Sequence, residues 1–284
     1  MISRIAVLMT VHNRKSKTLR CLGQLQAQTG LEGMAEVDVW MTDDGSTDGT
    51  AEAVVQQFPH VKIVHGDGSL YWNRGMYAAW SAAEKDGDYD FWLWLNDDTY
   101  LHEDAVVRLL EASRRHDDKA IIIGSACSST NPKVITYGGW VDGAGRVSDV
   151  SSEVACNTFE GNIVLIPHYV YSILGKNEYS YHHAGGDNDY GYRAFKAGVG
   201  IYTGVGVFGV CDSHECLAKW EDSSQPLKVR WKNFFSPYGS TGMEFFRYRR
   251  RLFGFLPAVR TLVTSFIHML LPGIYDRFFR KGDN

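Results

Sequence analysis

Two adjacent carboxylates follow an uninterrupted run of large apolar residues in the first half of the chain. Residues 91–95 are Phe, Trp, Leu, Trp and Leu, and the next three are Asn96, Asp97 and Asp98. Such a run predicts a strand buried on both faces, and open α/β sheets bind ligands at the carboxyl ends of their strands. Carboxylate oxygens there suit a hard divalent cation such as Mg²⁺ or Mn²⁺. The alternative is that Asp97 or Asp98 only caps a helix beginning near His102.

A second pair of carboxylates, Asp43 and Asp44, follows another predicted strand at 37–41. Asp and Gly favour tight turns, and the next residues, Gly-Ser-Thr-Asp-Gly, suit one. A carboxylate in such a turn can also accept hydrogen bonds from the ring N–H of uracil or thymine, or from ribose hydroxyls. On the residues alone, both interpretations stay open.

The elements that must position these residues alternate regularly. They are predicted as strand 5–11, helix 16–28, strand 37–41, helix 48–58, strand 61–65, helix 74–85, strand 91–95, helix 102–116 and strand 120–124. This alternation is the pattern of a mostly parallel sheet flanked by helices. After residue 127 the pattern predicts strands of mixed direction that continue the same sheet, with a helix at 187–197 and a strand at 200–210.

Charge is distributed unevenly along the chain, although its net value is only −4. The 227 residues before Lys228 carry 18 basic and 30 acidic residues, whereas the part from Lys228 onward carries 11 basic and 3 acidic ones. We therefore predict a domain at 1–225 and a basic, aromatic, helical extension at 226–284. The extension is expected to lie on an anionic membrane surface, or to pack on the domain or on a second copy of the chain. No RNA-binding fold accompanies it, so nucleic acid is not an expected partner.

The cellular location follows from two further features. The first residues lead directly into a strand, without the pattern of a signal peptide, and the five cysteines are scattered and odd in number. Both features are typical of a protein of the reducing cytoplasm. The expected location is therefore cytoplasmic, and the basic extension adds the expectation of peripheral attachment to the cytoplasmic face of the membrane.

Three ordered motifs resemble family 2 glycosyltransferases of the GT-A fold. They are Thr-Val-His-Asn-Arg at 10–14, Asp-Asp-Gly-Ser-Thr-Asp at 43–48 and Asn-Asp-Asp at 96–98. The likeness extends over residues 4–235, and the glycine-rich loop at 66–75 is similar to a rhamnosyltransferase-like branch. The resemblance implies inverting transfer of a sugar from UDP or dTDP to a hydroxyl of a glycan or lipid-linked acceptor, in bacterial cell-surface polysaccharide synthesis.

The resemblance also implies roles for single residues. The family's metal motif is Asp-x-Asp, and here Asn96 replaces its first carboxylate, so Asp98 is expected to bind Mn²⁺ or Mg²⁺ directly. Asp187 falls on the general base, although it could serve only as a helix cap. His214 falls on a further metal or phosphate contact, with a surface histidine as the alternative. The residues expected to contact the nucleotide or donor sugar are Thr10, Asn13, Arg14, Asp43, Asp44, Trp72, Asn73, Asn96 and Asp97.

Two other classes of protein stay open. A sugar nucleotidyltransferase also uses acidic residues and a metal on an α/β sheet, but a glycine-rich phosphate loop would be expected near its first strand, and residues 11–15 contain no glycine. A membrane-docked sugar-binding protein that has lost catalysis is favoured only by Asn96. The G-x-G-x-x-G match at 204–209 opens no predicted helix and therefore does not indicate a dinucleotide site.

Overall fold

The computed structural model describes residues 2–213, 218–237 and 242–273 of the 284-residue chain. The chain divides into two compact units, the first comprising Met1–Tyr179 and Asp187–Ser213, and the second Ser180–Gly186 and His214–Asn284. The boundary predicted at residue 225 therefore falls inside the second unit. His214 and the end of the predicted extension, 274–284, lie outside the described residues.

Strands and helices alternate through the N-terminal half of the first unit. In chain order these elements are β1 (Ser3–Val11), α1 (Lys15–Gln26), β2 (Ala35–Asp43), α2 (Thr50–Gln57), β3 (Lys62–His65), α3 (Tyr71–Asp86), β4 (Phe91–Leu95), β5 (Tyr100–Leu101), α4 (Ala105–Arg115) and β6 (Ile121–Cys127). The predicted alternation is confirmed. The largest differences lie at helix starts, because α2 and α4 begin two to three residues later than the apolar pattern suggests.

The remaining elements of the first unit are shorter. They are β7 (Ile135–Tyr137), β8 (Gly139–Val141), β9 (Gly145–Arg146), β10 (Thr158–Phe159), β11 (Ile163–Pro167), α5 (His168–Leu174), α6 (Gly186–Lys196) and β12 (Ile201–Val210). The main sheet has the order β3-β2-β1-β4-β11-β6-β12-β5, with β7 paired to β6, and β10-β8-β9 form a separate small sheet. Strands β3, β2, β1 and β4 run parallel, whereas β11 is antiparallel to both β4 and β6. The sheet is thus parallel in its first half and mixed in its second, as predicted.

The centre of the sheet is β4, whose five side chains are all buried. Phe91, Leu93 and Leu95 join the apolar cluster that includes buried residues of α1, α2 and α4. Trp92 and Trp94 point the other way, into the cluster that includes residues of α3, α5 and α6. Because successive side chains of a strand face opposite sides, a strand covered on both sides needs an unbroken apolar run, as this one has.

The second unit contains α7 (Leu227–Phe234), α8 (Gly242–Phe253) and α9 (Phe255–Leu270). Trp220, Phe234 and Met269 form its small buried core. At the start of α8, the Glu244 carboxylate accepts a hydrogen bond from the His182 amide at 3.0 Å and also contacts the His182 ring. Within the described parts of the chain, no helix has the length and apolarity needed to cross a bilayer.

Candidate active site

The carboxyl ends of β1, β2 and β4 lie side by side at one edge of the main sheet, because the three strands are parallel neighbours. Val11, the last residue of β1, pairs with Asp43, and its carbonyl accepts a hydrogen bond from the Asp44 amide at 2.9 Å. This edge is where α/β sheets bind ligands. The predicted site residues that it brings together are Asn13, Arg14, Asp43, Asp44, Asn96, Asp97 and Asp98.

The carboxylates of Asp97 and Asp98 share one cation. Arg14 Nη1 lies 3.1 Å from Asp97 Oδ1 and 2.8 Å from Asp98 Oδ2. Lys17 Nζ lies 3.7 Å from the same Asp98 oxygen. The two carboxylate side chains are only 4% and 8% exposed, whereas those of Arg14 and Lys17 are 40% and 46% exposed. The carboxylates therefore form the floor of a site whose cations remain accessible to a ligand.

Helix α1 supplies the side chains around this floor. Thr18 Oγ1, fully buried, donates a hydrogen bond to Asp97 Oδ2 at 3.1 Å. Arg14, the N-cap residue of α1, precedes Lys17 and Thr18 by three and four residues, a spacing that brings side chains to the same side of the first helical turn. Sequence reasoning missed Lys17 and Thr18 as site residues, although this spacing from Arg14 is the signal that could have found them.

Burial raises the pKa of Asp97 from 3.8 to about 6. The nearby Arg14 charge opposes this increase, and the Asp98 charge adds to it. At neutral pH, keeping the buried Asp97 carboxylate ionised therefore costs free energy.

The interpretation of these carboxylates as helix caps is wrong. Helix α4 begins after Asp104, and the Val106 amide donates a hydrogen bond to Gln28 instead.

Asn96 faces the opposite side of the sheet from Asp97. Its Oδ1 accepts a hydrogen bond from the indole N–H of Trp72, on α3, at 2.7 Å. The Trp72 ring packs edge-on against Trp94, with ring centroids 5.7 Å apart. Asn96 stands at the first carboxylate position of the Asp-x-Asp motif. Its side-chain oxygen therefore accepts a hydrogen bond from an indole ring.

Asp187 and the Trp72 ring both border Gly161. Its Oδ2 accepts a hydrogen bond from the Gly161 amide at 3.1 Å, and its Oδ1 accepts one from the Asn188 amide at 2.8 Å. A methyl group on Gly161 would lie 2.8 Å from the Trp72 ring and 3.3 Å from Asp187 Cβ, so the three residues are in close contact. Burial raises the pKa of Asp187, the two amides lower it, and the charge of Glu160 raises it further.

A neighbouring carboxylate on α6, Asp189, has a different environment. It is fully buried, and Arg193 Nε lies 2.9 Å from its Oδ2. The Arg193 guanidinium also donates to the carbonyls of Leu174 and Lys176. Asp189 thus belongs to a buried structural network, and Asp187 is the carboxylate of this helix that reaches the candidate site.

The Asp44 carboxylate holds a loop in place. Its Oδ1 accepts a hydrogen bond from the Gly68 amide and its Oδ2 one from the Tyr71 amide, both at 2.8 Å. Tyr71 has a φ of 57°, a left-handed conformation that bulky residues rarely adopt. Both oxygens of Asp44 are therefore engaged in fixing the loop at 66–71 and the start of α3.

Asp43 is the better candidate to bind a nucleoside. It is 4% exposed, and its Oδ1 accepts a hydrogen bond from the Ser46 amide at 3.0 Å. Asn13, with a φ of 51°, fixes the same turn, because its Oδ1 accepts a hydrogen bond from the Thr47 amide at 2.7 Å. The turn at 43–47 is thus tied to the end of β1, which holds the Asp43 carboxylate at the edge.

Two predicted donor contacts, Asn73 on α3 and Thr10 on β1, are engaged in packing instead. Asn73 is fully buried, and its Nδ2 donates to the Glu178 carbonyl at 2.8 Å. Thr10 lies so close to Gly75 that a methyl group there would come within 2.0 Å of Thr10 Oγ1. We therefore leave Asn73 out of the candidate site, and Thr10 defines the close approach of β1 and α3.

The oxygen donors at the edge decide which residues could hold a divalent cation. In the part of the chain that the structure describes, no three or more His, Cys, Asp or Glu side chains form a metal-binding group. Mg²⁺, however, often takes only one or two carboxylates together with substrate phosphates. Asp98 fits that donor set, since its carboxylate borders the accessible cations, whereas the Asn96 oxygen is held by Trp72. His214, the predicted second ligand, lies outside the described residues.

The mixed sheet, with its acidic residues at the carboxyl ends of β2 and β4, defines a GT-A glycosyltransferase fold. The chain belongs to glycosyl transferase family 2, whose sequence profile matches residues 6–148, half of the chain. No curated protein sequence matches it.

Two solved structures illustrate the fold. One is the mannosyltransferase PcManGT from Pyrobaculum calidifontis in complex with GDP-Man and Mn²⁺, with a TM-score of 0.57 and 16% identity over 98% of this chain and 88% of that one. The other is residues 1–349 of TarS from S. aureus, with a TM-score of 0.54 and 13% identity over 98% of this chain and 73% of that one. At these identities the likeness concerns the fold alone.

Proposed function

We propose that this glycosyltransferase moves a sugar from UDP or dTDP to a hydroxyl of a glycan or lipid-linked acceptor, with inversion at the anomeric carbon. The observation that carries the proposal is that Trp72 contacts residues next to two functional groups. Its indole N–H holds Asn96, beside the Asp97–Asp98 pair, and its ring contacts Gly161, whose amide holds Asp187. A donor sugar bound near Trp72 would have a cationic cluster on one side and a carboxylate on the other.

Asp187 is the proposed general base. The acceptor oxygen forms a bond to the anomeric carbon, the bond from that carbon to the diphosphate oxygen breaks, and the hydroxyl proton passes to the Asp187 carboxylate. Two backbone amides fix this carboxylate, which favours a productive geometry. The pKa of Asp187 is raised by burial, and a raised pKa makes a carboxylate a stronger base.

Arg14 and Lys17 are the proposed partners of the leaving diphosphate. Both side chains are partly exposed, and guanidinium and ammonium groups form strong charge-assisted hydrogen bonds to phosphate oxygens. Asp98 is the proposed carboxylate ligand of Mn²⁺ or Mg²⁺, and such a cation, when bound, supplies further positive charge against the diphosphate. The Mn²⁺ in the PcManGT complex supports this assignment.

The donor class can be tested by thermal unfolding with UDP, dTDP and GDP sugars, with and without Mn²⁺. A ligand at 100 times its dissociation constant adds about 2.7 kcal/mol to the free energy of unfolding, which is readily detected. Asp43→Asn should reduce the stabilisation, whereas Glu36→Gln, which alters an exposed carboxylate on the same strand, should not. If none of the nucleotide sugars stabilises the wild-type protein, the proposed activity is wrong.

The general base can be tested with Asp187→Asn. Loss of general base catalysis should reduce the turnover number by about a hundredfold or more, while donor binding stays within about twofold of wild type. The matched control is Asp149→Asn, an exposed carboxylate of the same unit. Turnover of Asp187→Asn at the wild-type rate would remove Asp187 from this role.

The second unit is the proposed surface for docking on an anionic membrane. Seven of its exposed apolar residues, which we call the apolar face, are Leu227, Trp231 and Phe235 in or next to α7, and Leu256, Val263, Ile267 and Leu270 on α9. Phe235 and Phe266 connect the two helices, with ring centroids 6.0 Å apart. Residues 226–273 carry eight Lys and Arg but a single acid, Glu244, which contacts His182. Exposed apolar residues among cations match the surface of an anionic leaflet.

Co-sedimentation with vesicles tests this surface. The protein should sediment with phosphatidylglycerol-containing vesicles, less with pure phosphatidylcholine, and less again at high salt, because salt screens surface charges. Leu256→Ser removes a side chain that is 78% exposed and should weaken binding, whereas Val134→Ser, which alters an exposed apolar residue of the first unit, should not. If Leu256→Ser leaves co-sedimentation with vesicles unchanged but causes a dimer to dissociate in analytical ultracentrifugation, the apolar face is instead an interface between two copies of the chain.

A further inference from the structure

An exposed tryptophan lies near the proposed base, on the small sheet of the first unit. The Trp140 side chain, on β8, is 38% exposed. Trp140 pairs directly with Thr158 of β10, and Thr158 Oγ1 donates to the Asn188 carbonyl at 3.1 Å, one residue after Asp187. Directly opposed residues of an antiparallel pair share one face of the sheet, so Trp140 is on the face that meets α6.

A charged pair connects this ring to the base. The Arg146 guanidinium donates two hydrogen bonds to the Glu160 carboxylate, at 2.9 and 2.8 Å. Arg146 Cζ lies 6.0 Å from the centroid of the Trp140 ring. Glu160 immediately precedes Gly161, whose amide donates a hydrogen bond to Asp187. The negative charge of Glu160 also contributes to the raised pKa of Asp187. The Trp140 ring, the Arg146 guanidinium and the Glu160 carboxylate are thus successive neighbours, and the last of them is next to the residue whose amide binds Asp187.

We infer that Trp140, Arg146 and Glu160 form a binding subsite for a neutral pyranose ring of the acceptor, next to Asp187. This inference rests on the proposed glycosyl transfer and adds to it the chemical class of the acceptor. A pyranose ring has an apolar face of C–H groups, which an exposed indole can cover, and a rim of hydroxyls. Those hydroxyls can donate to Glu160 and accept from Arg146.

The charges at this place separate a neutral sugar from a phosphate-bearing ligand. A second carboxylate, Asp142, lies two residues after Trp140 and accepts a hydrogen bond from Tyr192 on α6. Among the described residues named here, the carboxylates of Glu160, Asp142 and Asp187 outnumber the guanidinium of Arg146, so a phosphate group would meet net negative charge. The cationic cluster of Arg14 and Lys17, by contrast, suits the diphosphate. We therefore expect the charged donor to bind at the cationic cluster and the neutral sugar ring of the acceptor to bind beside Trp140.

Saturation-transfer NMR with methyl glycosides of glucose, galactose, mannose and N-acetylglucosamine tests the subsite in the whole 284-residue chain. At least one glycoside should bind to the wild type, and Trp140→Ala should weaken its binding by about tenfold, the effect of losing one aromatic contact of roughly 1.4 kcal/mol. Trp140→Phe keeps a ring and should retain most of the affinity. Arg146→Lys keeps the charge but not the two-pronged geometry, and should weaken binding less than Trp140→Ala does.

Tyr169→Ala is the matched control, since it removes another exposed aromatic side chain of the first unit and should leave glycoside binding unchanged. Equal binding by wild type and Trp140→Ala, or no glycoside binding by the wild type, overturns the inference. Binding of nucleotide sugars is measured on the same samples. A protein that binds nucleotide sugars but no glycoside keeps the proposed function and loses the subsite, whereas the opposite result keeps the sugar site and refutes glycosyl transfer.

Discussion

Replacing Asp97 by Asn should raise the stability of the folded protein relative to wild type as the pH rises from 4 to 7, even though it removes a charged partner of Arg14. The pKa of Asp97 is raised from 3.8 to about 6, chiefly because its side chain is buried. The folded state therefore holds a proton on this carboxyl at pH values where the unfolded chain has lost it. Between about pH 4 and pH 6 the folded state binds more protons, so the free energy of unfolding falls as the pH rises.

The size of the effect follows from the two pKa values. A difference of about two pH units, at 1.36 kcal/mol each, corresponds to about 3 kcal/mol at pH 7. Little of this is screened by solvent, because the Asp97 side chain is only 4% exposed. An amide cannot ionise, so Asp97→Asn avoids the cost. Its stability relative to wild type should therefore rise by about 2–3 kcal/mol between pH 4 and pH 7.

Urea unfolding of ligand-free protein, with a chelator present, measures this difference at the two pH values. Comparing the two values removes any pH-independent effect of the amide, such as altered hydrogen bonds to Arg14 and Thr18. Glu36→Gln supplies the baseline for an exposed carboxylate. A stability difference between Asp97→Asn and wild type that is the same at both pH values, or that falls towards pH 7, would show that the attraction of Arg14 outweighs the burial of the charge.

Two further substitutions probe the opposite ends of the site. Arg14→Lys replaces the guanidinium, whose Nη1 contacts both carboxylates, by an ammonium group and should weaken donor binding by roughly tenfold in calorimetry, because it loses the two-point geometry toward phosphate. Arg20→Lys, within α1, should leave donor binding unchanged, and equal affinities of Arg14→Lys and wild type would exclude Arg14 from the diphosphate site. Gly161→Ala places a methyl group 2.8 Å from the indole ring and 3.3 Å from Asp187 Cβ, so turnover should fall by about tenfold or more with donor binding retained. The control is Gly23→Ala, whose methyl group would lie 4.0 Å from Phe58 Cζ, and an unaltered rate for Gly161→Ala would contradict the proposed packing of the base.

The sheet could be predicted from the sequence because its signal is local. The apolar run of β4 specifies burial on both faces, and the strand–helix alternation specifies parallel neighbours. The antiparallel insertion of β11 between β4 and β6 could not be placed in this way. Its apolar run is compatible with a buried strand in either direction, and only the partners it meets decide its position.

The site could be predicted only in part, because adjacent carboxylates look alike in a sequence. Asp43 and Asp44 differ only once the loop at 66–71 reaches the edge and two of its amides bind Asp44. Asp187 and Asp189 likewise differ because Arg193, one helical turn from Asp189, takes that carboxylate into a buried pair. These distinctions depend on contacts between segments that are far apart in the chain.

The side chains of β4 point alternately to the two faces of the sheet, and this alternation explains why Asn96 and Asp97 make different contacts. Leu95 packs with the cluster beside α1, and the Asn96 amide still follows the sheet, donating to the Asn162 carbonyl at 3.1 Å. Its side chain therefore turns to the α3 side, where it meets the Trp72 indole, and Asp97 returns to the α1 side, where it meets Thr18. A carboxylate at position 96 would add a negative charge on the side of the sheet that holds Asp187. The Asn96 amide accepts the indole hydrogen bond without adding that charge. The negative charge near Trp72 is therefore that of the proposed base, Asp187.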